Sequence, residues 1–469
     1  METRYAFILV LLIISPVALS ETASAQAKRP KSAPAKAETK SETKPEKKGS
    51  PAGEPLTVYR PDDVRPQHDD AKLAKRGIHR YESKHLLLYT DIDPEIARTL
   101  PPLIDQAYAA LEDYFGPLPP SRKRTPFQVT AYIIGDKELF EQAGLIPQDL
   151  PGFNSGRHRG AECWMYDQEL PYYRRHLLIH ESTHCFMTIM PDVRIPVWYL
   201  EGMAELFGMH TLDAKGNATF RILPQDEEQW ARIGLVQGDV AQRKLLTLND
   251  IDHFVPSDYL KDQPYAWSWA LCKFLDTHPR YREDFRDLGR HTEGTEFPTT
   301  FERLFRAKFA DLQEEWLLFA QGLCYGHDIE RAAIDFKAGQ PLAAGKSHTV
   351  EVASDRGWQS SGVAVAKGRR YTITASGRLT LANEPKPWIS EPQGVSIRYF
   401  QGRPIGRLLG TVRANEGEAG SMVKNIFDIG RGTEFVAPAD GTLYLRINDS
   451  WNSLADNSGQ MEVEVKAAR

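Results

Sequence analysis

The sequence predicts an α+β body, a small sheet followed by a helical lobe, that continues into an all-β sandwich. Three observations predict it. At 469 residues the chain exceeds the usual size of one domain. Between about residues 78 and 325, short apolar runs alternate with segments whose apolar residues recur every three or four positions. After about residue 340 the pattern changes to short β-prone runs separated by Gly, Asn and Asp. With 41% hydrophobic, 26% charged and 10% aromatic residues the chain can bury sizeable cores. Disorder or a fibrous repeat therefore cannot describe it as a whole.

In chain order, Arg4 precedes an apolar run over residues 5–19, and Ala23-Ser24-Ala25 comes next. That order of basic, apolar and small-residue regions predicts a signal peptide over residues 1–25 and an exported protein. Its strongest apolar stretch, residues 6–14, is short beside the roughly 20 residues a membrane span needs, and Pro16 interrupts the run soon after. No later segment is apolar enough for a stable membrane span. Residues 26–55 hold eight Lys/Arg, four Glu and no Val, Ile, Leu, Met or aromatic residue, which predicts a disordered linker. The net charge of −5 divides into −1 for the leader, +4 for the linker and −8 for the rest. A mildly acidic body excludes a phosphate-tracking partner, so no nucleic acid is expected.

The first folded domain is placed at residues 56–330. Residues 86–89, 127–134 and 161–166 read as strands, and 94–115 and 172–190 as helices, the second ended by Pro191. From 197 to about 325 the periodicity is helical. The second domain is placed at residues 345–469, after a stretch loosened by Gly339, Pro341 and Gly345, with strands at 349–352, 362–365, 371–374, 395–400, 434–436, 443–447 and 461–465. Four cysteines, Cys163, Cys185, Cys272 and Cys324, are too few for a disulfide scaffold. Cys185 and Cys272 fall in apolar helical patterns that suit buried thiols.

The chemistry concentrates in His180-Glu181-Ser182-Thr183-His184. On a helix, positions i and i+4 share a face, so two imidazoles can converge on one zinc ion while the adjacent Glu aims at an open coordination position. The surrounding Leu177, Leu178, Ile179 and Phe186 are apolar, and burying two histidines and a carboxylate among them is costly without a partner such as a metal. Sixteen residues separate His184 from Glu201, which lies in Trp198-Tyr199-Leu200-Glu201-Gly202-Met203-Ala204-Glu205 and can supply a third ligand from a second helix. Glu205 remains an alternative ligand. His176 precedes His180 by one turn and reads as a surface or neighbouring residue. Glu205 and His210 are candidates to orient a ligating imidazole.

Together, HExxH and WxxEGxAE over residues 78–325 resemble the gluzincin metallopeptidases, in particular the peptidase-MA-like families of exported bacterial proteins. The resemblance implies a thermolysin-like fold, a Zn2+ cofactor and a peptide or protein substrate. It matches His180, His184 and Glu201 to the zinc ligands and Glu181 to the general base. The gap to Glu201 is shorter than in the best-known members, so the loop 191–196 must turn tightly. Tyr265, opening Pro264-Tyr265-Ala266-Trp267-Ser268-Trp269, resembles the tyrosine that stabilises the oxyanion. An aromatic filling core between lobes is the alternative.

In the second domain, residues 448–459 concentrate Asn, Asp and Ser oxygens between two strands, in the manner of a Ca2+ loop or a plain turn. With Trp358-Gln359, Gly362-Val363 and residues 371–377, this stretch resembles the calcium-dependent, galactose-specific bacterial lectins, a small β-sandwich family. The resemblance implies side-chain calcium ligands at Asp449, Asp456 and Asn457, a backbone ligand at Ser453, another near Leu381, and a possible glycan partner. Asp456 replaces the family's usual Asn, and the sugar-contacting loop over 381–395 matches poorly. The combined expectation is an exported zinc peptidase targeted by a lectin-like module. The alternative is a non-catalytic surface carbohydrate-binding or adhesion protein whose first domain is a metal-stabilised scaffold.

Overall fold

The computed structural model describes residues 58–469 apart from 64, 227–231 and 417–418; the expected leader and linker lie outside the described residues. The first half is a mixed sheet with helices. Its five strands are β1 (His79–Glu82), β2 (Leu86–Thr90), β3 (Val129–Ile134), β4 (Gly156–Arg159) and β5 (Glu162–Tyr166), in the order β1-β2-β3-β5-β4. The inner three are mutually parallel, and each edge strand is antiparallel to its neighbour. Alternate residues of the inner strands serve two cores. Leu86, Leu88, Ala131, Cys163 and Met165 face the helices, while Leu87, Tyr89, Tyr132 and Trp164 pack with Phe140 and Leu145 on the other side.

Two expected helices differ in extent. The 94–115 helix is two pieces, Pro94–Ala97 and Leu100–Phe115. Pro101 and Pro102 lack the N–H groups that would bond back across the break. The 172–190 helix is Pro171–Met187, ending before Pro191 at Thr188, whose φ of −108° and ψ of 5° leave the helix while its backbone N–H and its hydroxyl still bond His184 O, at 3.0 and 2.8 Å. Among the described residues no helix is long and apolar enough to cross a membrane.

The second half contains two sheets, ordered by strand range as Gln393–Phe400, Arg403–Ala414, Gly441–Ile447, Gln359–Val365 and Gln340–Pro341 in one, and Ile389–Ser390, Leu379–Thr380, Ser458–Ala467, Arg370–Ser376 and Gly432–Val436 in the other. Both line one core through Val363, Leu408, Leu443 and Leu445 from the first and Ile373, Met461, Val463 and Val465 from the second. The twelve-residue Arg403–Ala414 strand is not among those expected from the sequence. Pro404, Gly406 and Gly410 obscure its pattern; Gly406 sits at φ +76°, and a Cβ there would strike Ser390, so both conformation and space call for glycine.

A buried seam joins the halves. Glu314, on the helix Phe309–Gly322, accepts from Gly420 N, Ser421 N, Ser421 Oγ and Met422 N at 2.8–3.2 Å. Four donors offset the cost of burying that carboxylate. Trp451 fills the notch left by Gly322, where a Cβ would lie 2.2 Å from its Nε1.

Candidate metal centre

Three helices build the site. The motif helix, Pro171–Met187, places Pro171 in its first turn, where no backbone donor is required. His176, His180 and His184 run along one face and are at most 5% exposed. The return helix, Val197–Gly208, brings Glu201 and Glu205, again one turn apart, against that row. The loop between them turns through Asp192 at φ +62° and is pinned by Arg194 N to Thr292 O, 2.8 Å, and Gly294 N to Asp192 O, 2.9 Å. Gly202 lets the third helix, Asp262–Thr277, cross closely: a Cβ there would lie 2.6 Å from Ser268 O. That close crossing sets Tyr265, one turn earlier, beside His180, with ring centroids 6.1 Å apart.

The acids pair with the histidines in antiparallel order. His180 Nε2 and His184 Nε2 are 3.0 Å apart, and Glu201 Oε2 lies 3.4 Å from the first and 3.2 Å from the second. Zinc bonds of about 2.0–2.1 Å in tetrahedral geometry place ligand atoms about 3.3 Å apart, so the three atoms fit one ion. Protons alone satisfy them poorly, because one N–H on His180 Nε2 must serve two lone pairs at once. Burial opposes charge on His180, but the Glu201 and Glu205 carboxylates outweigh it and push it up to about 10. His184 is lowered, first by burial.

Glu205 occupies the other side of His180. Its Oε1 is 3.3 Å from His180 Nδ1, its Oε2 is 3.4 Å from His176 Nε2, and Arg232 Nε and Nη2 each bond it at 2.9 Å. Burial opposes its charge, yet Arg232 and His176 hold the carboxyl well below the usual range. His176, Glu205 and His180 could also surround a metal. The forked guanidinium already takes both Glu205 oxygens, so Glu205 is better suited to orienting His180, and Glu201 to completing the other group of candidate ligands. His176, expected at the surface or as a neighbour, is fully buried beneath this pair. Glu205→Gln is expected to lower the thermal midpoint, since Arg232 loses its counter-charge, and to weaken any divalent metal held by the neighbouring histidines about 10–100-fold. Competition with a chromophoric chelator measures the second effect.

Glu181 is 4% exposed and points at the edge strand β4. Its Oε1 occupies the space a side chain at Gly156 would need, 2.4 Å from the position of a Cβ. His158, two residues along the strand, stacks on His184 with centroids 4.6 Å apart and places Nδ1 3.8 Å from Glu181 Oε2. Gly156→Ala should therefore displace the carboxylate and not the fold. The expected outcome is an unchanged thermal midpoint, read by calorimetry. Tyr265 is held edge-on by Tyr259, 4.9 Å away, with Arg232 5.5 Å from its ring. Burial, then Glu201, Glu205 and Glu181, raise its phenol far above the ordinary value, so it stays a donor.

Other expected site residues stand apart. His210 commits Nδ1 to Gly208 O at 2.7 Å and Nε2 to Arg175 Nε at 3.2 Å, and stacks on Tyr172, so it buttresses Tyr172 and orients no candidate ligand. In the second half Asp449 and Asn457 are buried together, while Asp456 is exposed and Ser453 half-buried. Asp449 Oδ1 accepts Ser450 N at 2.8 Å, and Asn457 donates to Ser354 O at 3.1 Å, leaving its Oδ1 without a partner. Burial raises the Asp449 carboxyl against the opposing pull of Ser450 N, Asn457 and Arg446. An unpartnered buried oxygen beside a carboxylate suits a hard cation. Sequence reasoning missed His158 and Arg232, for which no spacing signal existed.

No protein-family profile matches the chain, and no curated protein matches it. Among solved structures the chain is similar to the EclA N-terminal domain, a PllA-like lectin, at 25% identity over 25% of this chain and 94% of that one, with a TM-score of 0.21. It is similar to PliG of Aeromonas hydrophila, a periplasmic inhibitor of g-type lysozyme, at 11% identity over 29% and 96% of the two chains, TM-score 0.17. It is also similar to the IMPa metallopeptidase from Pseudomonas aeruginosa, at 12% identity over 57% of this chain and 27% of that one, TM-score 0.16. The chain thus spans about a quarter of IMPa's length. Likenesses of this size leave function to be read from the site itself.

Proposed function

We propose that the chain is an exported gluzincin-type zinc peptidase. The observation that carries this reading is the meeting of His180 Nε2, His184 Nε2 and Glu201 Oε2 within 3.0–3.4 Å of one another, with Glu181, the residue after His180, beside the edge strand β4. His180, His184 and Glu201 hold the ion. Bound zinc supplies Lewis acidity toward a carbonyl oxygen and toward water. Glu181 takes the proton from the attacking water and passes it to the leaving amine, its carboxylate aimed by the bare backbone of Gly156. Tyr265 donates a hydrogen bond from its hydroxyl to the developing oxyanion. Access is through the side where Glu201 and His158 keep 17% and 25% of their side-chain surface exposed. The outer edge of β4, which pairs with no further strand among the described residues, offers backbone groups to an extended peptide.

A peptide-library digest tests the proposal. Internal cleavages should appear with the zinc-loaded chain, vanish with a chelator and return with added zinc. No cleavage by the loaded chain would favour the metal-stabilised scaffold, and cleavage indifferent to the chelator would reject zinc as the source of the activity. In the second half, Asp449 and Asn457, with Asp456 and Ser453, take calcium, and the β-rich half recruits glycan; calorimetry with calcium and then galactosides checks both steps.

A further inference from the structure

Away from the metal centre, a cleft of about 480 Å³ opens where the helix Leu100–Phe115, the helix Arg282–Leu288 and the chain just after the strand Ala218–Phe220 meet. Asp276 lies behind its wall, near the end of the Asp262–Thr277 helix, three turns and about 16 Å along the axis from Tyr265. That wall carries unbalanced charge. Arg221 Nη1 bonds both oxygens of the buried Asp276, at 2.8 and 2.9 Å, and Arg286 Nε lies 3.6 Å from the same carboxylate. Both guanidiniums stand over the Tyr114 ring, 4.8 and 5.8 Å from its centroid. Lys273, also buried, donates its Nζ to Arg221 O at 2.7 Å. Burial lowers that ammonium to about 8, with Asp276 opposing and both arginines adding to the fall, so it keeps its charge at neutral pH. Three cations therefore share one carboxylate. The other acids lining the cleft are poorly placed to balance them: Asp113 and Glu283 are exposed, where water screens them, and Asp287 lies 3.8 Å from Arg303.

Two donors in the same wall are unused. Tyr114 is 4% exposed, and its hydroxyl and Arg286 Nε are both buried without a hydrogen-bond partner. Arg221 sits at φ +59°, left-handed backbone that a residue with a Cβ seldom adopts, and the Lys273 bond to its carbonyl helps hold it there. Strain of this kind persists where a side chain is fixed in one place for binding or chemistry.

We infer that this cleft binds a phosphate or sulfate group carried on a sugar. Arg221 and Arg286 clamp the oxyanion with charged N–H donors, Tyr114 adds its hydroxyl, and Arg290, exposed at the rim, adds a further cation. The bound group supplies the counter-charge that Asp276 alone does not. Two guanidiniums and a hydroxyl match an oxyanion with three terminal oxygens better than a carboxylate with two. The rim carboxylates of Asp113 and Glu283 repel a second anionic group and accept from hydroxyls. They select a ligand with one oxyanion and a hydroxyl-bearing remainder. The site needs neither zinc nor hydrolysis.

Calorimetric titration of the full, zinc-loaded chain with inorganic phosphate, inorganic sulfate, glucose-6-phosphate, glucose-6-sulfate and glucose tests the inference. The sugar phosphate or sulfate should bind saturably, at least about tenfold more tightly than the free ions, and glucose should not bind there. Added salt should weaken the binding. Arg286→Gln leaves the Arg221–Asp276 pair in place and should weaken it about 10–100-fold at unchanged zinc content. Tyr114→Phe, which keeps the ring under both guanidiniums, should weaken it less, and serves if the first variant fails to fold. No binding of any anion, or an affinity unchanged in the folded variants, would overturn the inference. Free ions binding as tightly as the sugar esters would overturn the sugar. The chelator dependence of peptide cleavage decides the peptidase reading separately.

Discussion

Glu181→Gln is expected to lower peptide hydrolysis by at least about 10²–10⁴-fold while the chain keeps its zinc and its thermal midpoint. The amide has nearly the shape of the carboxylate, so the space above Gly156 stays filled and the adjacent His180 and His184 are undisturbed. What disappears is the group able to accept a proton from water and release it to the amine. Because Glu181 is 4% exposed, bulk solvent is poorly placed to replace it. The separation of the two readouts is diagnostic. A loss of metal together with activity would make Glu181 structural, and retained activity would remove it from the chemistry. Kinetics on a peptide found in the library digest, with metal analysis on the same sample, checks both.

Glu201→Ala is expected to act in the opposite sense, on the metal first. A four-ligand zinc site contributes about 10–16 kcal/mol, or about 2.5–4 kcal/mol per ligand, so loss of one ligand should weaken binding by about 10²–10³-fold. The two imidazoles remain, and His180 keeps its contact with Glu205. The chain should therefore still fold, and hydrolysis should fall with metal occupancy. Asp at this position is too short to reach both nitrogens and should recover little. Zinc affinity by competition titration, with circular dichroism for the fold, measures the effect.

Much of this arrangement was legible in the sequence because it sits within two helices. A spacing of four residues brings His180 and His184 to one face whatever surrounds them, and the same spacing relates Glu201 to Glu205. The inner strands were legible because both faces are buried and they read as apolar runs. The sheet's edges were not. β1 and β4 carry His79, Arg80, Arg157 and Arg159, whose side chains meet solvent, so neither shows an apolar stripe. β4 is the strand that delivers His158 and Gly156 to the centre, which is why those residues went unread. Arg232 lay hidden for a different reason: its partner Glu205 is 27 positions away, and a lone basic residue between elements carries no periodicity. Similarly, the seam through Glu314 and Trp451 depends on contacts between distant segments that neither half announces.

The most direct test of the account is the metal content of the purified chain, measured by elemental analysis with X-ray absorption at the zinc edge. The account predicts one zinc per chain with two imidazole nitrogens and a carboxylate oxygen in its coordination shell, and loss of that zinc in His184→Ala. A zinc-supplemented chain that purifies without metal, or His184→Ala retaining the same occupancy and spectrum, would contradict it.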